Sequence, residues 1–189
     1  MLPKTNNEMN LLQKRIINKH LSAWRLRKRD NEIIDIPQIQ TAKDICLFVS
    51  CQNDKQWNNL SAELEEWQKT IQQNLQVFCF VAQHQHLKNE KDELDILLHK
   101  KHLSFFGTIS NPQKDLLQNK SFDMLLLFDT IANNLFYYFQ SFIKANIRIG
   151  NNNDFITYMD FSIHTPSAND FSRFIQQTEK YLNILLSNK

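Results

Sequence analysis

The stretch MLLLFD at residues 124–129 and the stretch ICLFVS at residues 45–50 decide the fold of this chain. Each is a short, continuous apolar run that ends on a polar residue, a pattern typical of a strand buried on both faces of a parallel sheet. The other predicted strands are the apolar runs at residues 76–82, 103–109, 147–149 and 155–163. We therefore predict a mostly parallel sheet of about five or six strands.

Segments with apolar residues at every third or fourth position separate these runs and predict helices. The predicted helices span residues 8–29, 57–74, 94–102, 133–146 and the segment that Asp170 caps. Asn53 or Asp54 caps the second of them, and Asn111 caps a short helix that begins at Pro112. Strands that alternate with helices form βαβ units, whose helices cover both faces of the sheet. We therefore predict a three-layer, Rossmann-like α/β fold with a basic N-terminal helix.

Length and composition limit the domain organisation. The 189 residues, 42% of them hydrophobic and 22% charged, have a globular composition. One core spans roughly 100 to 200 residues, so we expect a helical arm and connector at residues 1–40 and a single domain at residues 41–189. Three cysteines without a CxxC pair indicate a reducing compartment. With no apolar run of the roughly 18 residues that span a bilayer and no signal peptide, we expect a cytoplasmic location.

The loop after the first predicted strand, SCQND at residues 50–54, contains no glycine. Dinucleotide sites and P-loops need glycine so that backbone N–H groups can approach a phosphate closely. We therefore expect neither NAD binding nor a Walker-type nucleotide triphosphatase, and we predict no cofactor. Ligands of parallel α/β sheets bind beyond the carboxyl ends of the strands. The segments predicted at this edge are residues 50–54, 83–86, 107–111, 129–134, 150–154 and 164–167.

Six side chains of this edge are candidates to line a small-molecule site: Cys51, Asp54, Asp129, Thr130, Asn133 and Asn134. Asp129 ends the clearest strand, where it is expected either to cap the next helix or to contact a ligand. Cys51 is open to two interpretations, a nucleophile or a buried structural thiol, and the sequence identifies no base for it.

Histidines occur in two pairs, His84 with His86 and His99 with His102. Such spacings are compatible with metal ligands, but short motifs of this kind match by chance, and lysines flank the second pair. Solvated surface histidines are therefore the favoured interpretation. The sequence predicts no metal site and no catalytic residue.

The most informative segment is the predicted N-terminal helix. Between residues 10 and 29 it carries seven basic side chains and no Asp or Glu, while the net charge of the whole chain is only +2, so the remainder is net negative. Its apolar stripe predicts that one face packs either on its own domain or on a partner, and the sequence leaves both open. The side chains expected to meet a partner are Lys14, Arg15, Lys19, Trp24, Arg25, Arg27, Lys28 and Arg29.

Several segments together resemble a known family. FDMLLLFD at residues 122–129, the following helix, KANIRIG at residues 144–150 and the two terminal helices resemble a family of short uncharacterised bacterial proteins, a domain of unknown function. The resemblance covers most of the chain and implies a Rossmann-like fold without a particular reaction. The strand, Asp, helix and AxxRIG pattern is also similar to part of the N-terminal half of heptosyltransferase-type glycosyltransferases. Those enzymes need a second, nucleotide-sugar domain, so we do not expect an active transferase of that type.

Two functions remain as hypotheses. The first is a non-enzymatic interaction protein whose basic arm docks on an acidic partner, either RNA or a ribosome or a protein complex, with peripheral contact to an anionic membrane left open. The second is a small-molecule-binding protein, or a degenerate glycosyltransferase-like enzyme, that uses the carboxyl edge of the strands and requires a concave pocket there. The first hypothesis is favoured because the sequence contains few motifs that are typical of catalysis.

Overall fold

A computed structural model describes residues 9–26, 37–83, 95–151, 153–165, 167 and 169–187. Its elements in chain order are α1 (Leu11–Leu26), β1 (Asp44–Asn53), α2 (Asp54–Thr70), β2 (Asn74–Gln83), β3 (Asp95–Leu98), α3 (Asn111–Gln118), β4 (Ser121–Phe128), α4 (Asn134–Gln140), β5 (Lys144–Gly150), β6 (Phe161–Ser162) and α5 (Phe171–Ser187), with 3₁₀ helices at Lys100–His102 and Asn153–Tyr158.

The six strands form one parallel sheet in the order β3-β2-β1-β4-β5-β6. β1 lies between β2 and β4, so that Phe48 pairs with Phe78 on one side and with Leu127 on the other. Both faces of these strands are covered, which is why their sequences are continuous apolar runs rather than alternating ones. The predicted parallel, Rossmann-like α/β fold is confirmed.

Two hydrophobic cores lie on opposite faces of the sheet. Along β1, the side chain of Leu47 packs on the face that α2 and α5 cover, and Phe48 packs on the face that α1 and α4 cover. The rings of Phe48 and Phe136 stack with centroids 4.6 Å apart, which anchors α4 on the middle of the sheet. Successive side chains of a strand point to opposite faces of the sheet, so each helix layer packs against every second residue of a strand.

The helix α1 belongs to one of these layers. Ile17 and Leu21 are buried in the same core as Phe48, and the ring nitrogen Nε2 of His20 lies 2.8 Å from Oγ of Ser141. The His20 ring also stacks on Phe142, at a centroid distance of 5.0 Å. Two apolar residues of α1, Ile17 and Leu21, are therefore buried on the domain itself.

The prediction for residues 94–102 and 103–109 was wrong. The first segment contains β3 and a 3₁₀ turn instead of a helix, because pairing with β2 extends its four-residue run. The second is a tight hairpin instead of the third strand, closed by an antiparallel bridge between Leu103 and Ile109. Gly107, with φ of +78°, permits the reversal, a conformation that residues with a Cβ rarely adopt.

Two further boundaries differ from the prediction. The helix predicted at residues 133–146 ends at Gln140, because the chain from Lys144 pairs with β4 and makes β5 longer than expected. The strand predicted at residues 155–163 is a 3₁₀ helix followed by the two-residue β6. Both errors arise because aromatic and aliphatic residues occur in helices and strands alike, so pairing decides between them.

The predicted helix caps are confirmed in two of three cases. The Oδ1 atom of Asn53 accepts the N–H of Gln56, and Oδ1 of Asp170 accepts the N–H of Arg173 at 2.9 Å. The third cap is wrong, because Ser110 rather than Asn111 holds the N-cap position of α3. Within the described part of the chain, no helix combines the length and the apolar character needed to cross a bilayer.

Candidate functional site

The strand order reverses between β1 and β4, since the chain builds the sheet outward on one side of β1 and then on the other. The loops that leave these two strands diverge, and ligands of open α/β sheets bind in the resulting crevice. Ser50 near the end of β1 and Asp129 directly after β4 face each other there, with a hydrogen bond of 2.7 Å from the serine hydroxyl to Oδ1.

Asp129 is the centre of a buried hydrogen-bond network. It is 2% exposed, and its Oδ1 also accepts the backbone N–H groups of Ile131 and Ala132 at 3.1 and 3.0 Å. Its Oδ2 accepts the hydroxyl of Tyr137 at 2.7 Å. The side chain of Asn151 pairs with the backbone N–H and C=O of Asp129. These contacts tie β1, β4, α4 and the end of β5 together.

The loop after β4 wraps around this carboxylate. Thr130 donates its N–H to Oγ of Ser50 at 2.8 Å, so three successive backbone N–H groups, those of residues 130–132, point inward. Ala132 adopts the left-handed region with φ of 51° to complete the turn. Consecutive N–H groups in such a turn form an anion-binding nest. Here the N–H groups of Ile131 and Ala132 bind the carboxylate of Asp129, and the N–H of Thr130 binds the hydroxyl of Ser50.

The network changes the ionisation of its tyrosine. Burial raises the pKa of Tyr137, and the negative charge of Asp129 raises it further. The neutral phenol therefore persists as a hydrogen-bond donor at any ordinary pH. The network gives Asp129 a structural role. It does not cap the next helix, which was one of the two interpretations from the sequence. Asn133 holds that cap position, since its Oδ1 accepts the N–H of Leu135 at 2.8 Å.

A crevice of about 690 Å³ lies beside the loop, between the start of α2, the end of β4 and the segment before α5. Its floor includes Gln56, whose Nε2 donates to Oγ1 of Thr130 at 3.0 Å and to Oδ1 of Asn169 at 3.2 Å. The lining residues are Gln52, Asn53, Lys55, Gln56, Asn59, Leu60, Glu63, Phe128, Thr130, Ile131 and Asn169. Most of them carry neutral amide or hydroxyl groups.

The structure brings only part of the predicted ligand edge together. Asp129 and Thr130 lie at the crevice or directly behind it. Cys51 is fully buried in the core beneath α2, and Asp54 begins α2 without lining the crevice. Asn134 points toward α1, where its Nδ2 lies 3.4 Å from Oδ1 of Asn18. The candidates that followed β4 in sequence therefore divide between a loop, a helix cap and a different surface.

Other predicted edge segments lie elsewhere. Residues 107–111 do not follow a strand, because β3 ends at Leu98, and Gly107 packs against α1 instead. His99 and His102 do lie together, but each Nδ1 accepts a backbone N–H, from Lys101 and His99 respectively. His84 and His86 lie outside the described residues.

Sequence reasoning missed several residues that shape the site. Gln56 and Asn59 are three positions apart in α2, so the helical repeat places both on the side that faces the crevice. Tyr137 lies in the helix predicted at residues 133–146 and was not considered for the site, although a buried tyrosine hydroxyl needs a partner. A polar residue at helical spacing next to a predicted strand end is the signal that would have found the first two.

The predicted basic arm is described as far as Leu26. Lys14, Arg15 and Lys19 are exposed on α1, on the side away from the sheet. Trp24 is half-buried, and its ring stacks on that of Tyr158 with centroids 5.8 Å apart. Arg25 lies in α1, but its side chain is outside the part of the chain that the structure describes. The predicted partner residues Arg27, Lys28 and Arg29 are outside it as well.

A second cavity, of about 510 Å³, lies at the opposite edge of the sheet, where β4 and β5 begin. Trp24 and Tyr158 line it together with Arg148, whose guanidinium lies 5.3 Å from the centre of the Trp24 ring. That guanidinium also donates to the backbone carbonyl of Ile143 at 2.8 Å. Through these contacts, Arg148 connects α1 to the start of β5.

The model of a family of unknown function, DUF6913, matches residues 10–185, which include every described helix and strand except the last two residues of α5. No curated protein and no solved structure matches the chain.

Proposed function

We propose that this chain, which belongs to the DUF6913 family of unknown function, is a non-enzymatic interaction protein that docks on an acidic partner through the outer face of α1. The observation that carries the proposal is the division of α1 into two faces. Ile17 and Leu21 anchor the helix on its own domain, while Lys14, Arg15 and Lys19 remain exposed.

Anchoring makes these cations a fixed surface. A free amphipathic helix would have to bury its apolar stripe on a partner and lose conformational entropy in doing so. Here the core of the domain already orders α1, so binding through its cations costs less entropy. The segment at residues 9–26 contains no Asp or Glu that would neutralise the cations from within the helix.

The hydrogen-bond network around Asp129, where the strand order reverses, supports the proposal that this protein is not an enzyme. A carboxylate at this edge would be the first candidate for acid–base chemistry, but that of Asp129 accepts four hydrogen bonds from the protein. RNA or a ribosome is one acidic partner of the proposed kind. The three cysteines are buried and form no disulfide, which agrees with a reducing compartment such as the cytoplasm.

The proposal is tested by retention on immobilised heparin, a polyanion without sequence or lipid character. The variant Lys14→Gln/Arg15→Gln/Lys19→Gln is expected to elute at clearly lower salt than the parent chain, because exposed charges bind through salt-sensitive attraction. The matched control is Lys69→Gln/Arg173→Gln/Lys180→Gln, which removes the same charges from exposed positions of α2 and α5 on the other face of the sheet. Equal shifts in the two variants would contradict a specific role of α1.

A second candidate function is favoured by the position of the crevice. Ligands of open α/β sheets bind where the strand order reverses, which here is between β1 and β4, and the larger of the two cavities described above lies there. Because the nest is filled by Asp129, we propose an uncharged polar ligand, recognised by the amides of Gln56, Asn59 and Asn169. A monosaccharide is one uncharged polar ligand of this kind.

Free monosaccharides serve as probes for this second function, with binding followed by NMR shifts of backbone amides. Shifts confined to residues 52–59 and 128–131 are expected, with binding weaker by about fivefold or more in Asn59→Ala, because an amide partner in a pocket contributes about 1–3 kcal/mol. Asn58→Ala, at an exposed neighbouring position outside the crevice, is the control. Shifts scattered over the surface would refute this candidate.

A further inference from the structure

The hairpin that replaced the predicted third strand carries two aromatic side chains at its tip. Phe105 and Phe106 are 71% and 61% exposed, and their rings meet edge to face with centroids 5.5 Å apart. The base of the hairpin is firmly held: Leu103 and Ile109 are buried, and the N–H of Ser104 donates to the carbonyl of Thr108 at 2.8 Å. A rigid turn thus presents two large apolar groups to solvent.

The hairpin rests directly on the first turn of α1. The side chain of Gln13 donates to the carbonyl of Ser104 at 3.0 Å, and a Cβ at Gly107 would lie only 2.9 Å from the Cα of Gln13. Two leucines begin the same turn of α1, with Leu11 86% and Leu12 40% exposed. We call these four side chains, Phe105, Phe106, Leu11 and Leu12, the apolar corner.

Three exposed cations are close in sequence to the apolar corner. Lys14 and Arg15 follow the leucines within one helical turn, and Lys101 precedes the hairpin by two residues; all three are exposed. The two segments, residues 9–26 and 99–110, together contain no Asp or Glu. Apolar side chains with cations close to them are complementary to a lipid bilayer with anionic headgroups. The apolar groups would enter the boundary between the headgroups and the acyl chains, and the cations would remain among the headgroups.

We propose, on the basis of the docking proposed for α1, that the acidic partner is an anionic lipid surface into which the apolar corner inserts. RNA could stack bases on the two phenylalanines but would leave the aliphatic Leu11 in water. A second copy of the chain would bring Lys14 and Arg15 of both copies together across a twofold axis, which like charges oppose. Lipid accounts for the apolar and the basic side chains at once.

The test is sedimentation of the full chain with vesicles of phosphatidylcholine, with and without phosphatidylserine. The parent chain is expected to bind only when phosphatidylserine is present and to be released by salt. Phe105→Ser/Phe106→Ser should weaken this binding at least about tenfold, because one buried phenylalanine alone is worth about that much. The control Tyr181→Ser/Leu185→Ser, which removes exposed apolar groups from α5, should bind as the parent does.

A direct readout of insertion uses Phe105→Trp. Its added fluorescence should shift to the blue and be quenched by bromine-labelled lipid when vesicles with phosphatidylserine are present. Unchanged emission, or equal vesicle binding by Phe105→Ser/Phe106→Ser and the parent, overturns the inference.

The outcomes separate the inference from the proposed function. Retention on heparin through Lys14, Arg15 and Lys19, combined with no vesicle binding, overturns only the lipid inference. Tighter binding of single-stranded polyuridine than of vesicles by the same surface also overturns it, and identifies RNA as the partner. Loss of both heparin and vesicle binding overturns the inference and the proposed function together.

Discussion

At the residue scale, Asp129 shows how a functional-looking carboxylate becomes structural. Its position after a buried strand is the one where α/β enzymes place acids, yet its four acceptor contacts all come from this chain. A buried anion is tolerated only when hydrogen bonds replace its hydration. Ser50, Tyr137 and the backbone of Ile131 and Ala132 supply that replacement.

Tyr137→Phe tests the network. The substitution keeps the ring but leaves Oδ2 of the buried Asp129 without the hydroxyl donor. We expect a loss of about 1–3 kcal/mol in the free energy of unfolding at neutral pH, measured by denaturant titration. Tyr181→Phe, at an exposed position of α5, should change it by less than about 0.5 kcal/mol. A neutral effect of Tyr137→Phe would mean that Asp129 is satisfied without the phenol.

The raised pKa of Tyr137 also predicts alkaline destabilisation. In the unfolded chain the phenol titrates near the ordinary tyrosine pKa of 10.0, whereas in the native state burial and Asp129 keep it protonated. The stability that this neutral phenol contributes is therefore complete below that pH and is lost as the pH rises above it. In the Phe variant, the fall of unfolding free energy above that pH should be shallower than in the parent. Parallel slopes would contradict the raised pKa.

At the element scale, the hairpin at residues 103–109 depends on one glycine. Gly107 has φ of +78° and lies so close to α1 that an added Cβ would meet backbone atoms of Gln13. Gly107→Ala is therefore expected to lower the free energy of unfolding by about 1–3 kcal/mol and to speed hydrogen exchange at the start of α1. Asn58→Ala, at an exposed position of α2, should leave both unchanged. Unchanged exchange would mean that the hairpin does not brace α1.

The elements also show where sequence patterns reach their limit. The spacing of apolar residues predicted α1, α2 and α5, whose periodic faces are long enough for the helical repeat to be recognised. It misassigned the four residues of β3, since a run so short fits a strand or a helical turn equally well. Only the neighbouring β2 decides that it becomes a strand, by offering unpaired backbone groups at the sheet edge.

At the scale of the whole molecule, α1 is a layer of the fold and not an independent arm. Trp24 in α1 and Trp57 in α2 lie on opposite faces of the sheet, which makes them separate probes of unfolding. In Trp57→Phe/Trp67→Phe and Trp24→Phe/Trp67→Phe, the remaining tryptophan should report the same denaturant midpoint within each variant as circular dichroism does. An earlier fluorescence transition for Trp24 alone would show that α1 detaches before the sheet unfolds.

The sequence by itself determined that the apolar runs at residues 45–50, 76–82, 124–128 and 147–149 become strands of a parallel sheet, that Asp170 and either Asn53 or Asp54 begin helices, and that cations are concentrated in the first helix. These are local properties, set by burial on both faces of a strand, by cap hydrogen bonds and by composition. Only the tertiary structure decided that the loop after β4 hydrogen-bonds to the carboxylate of Asp129, that α1 packs on its own domain, and that Phe105 and Phe106 project beside Leu11. Each of those depends on residues distant in sequence meeting in space, a relation that spacing along one chain does not contain.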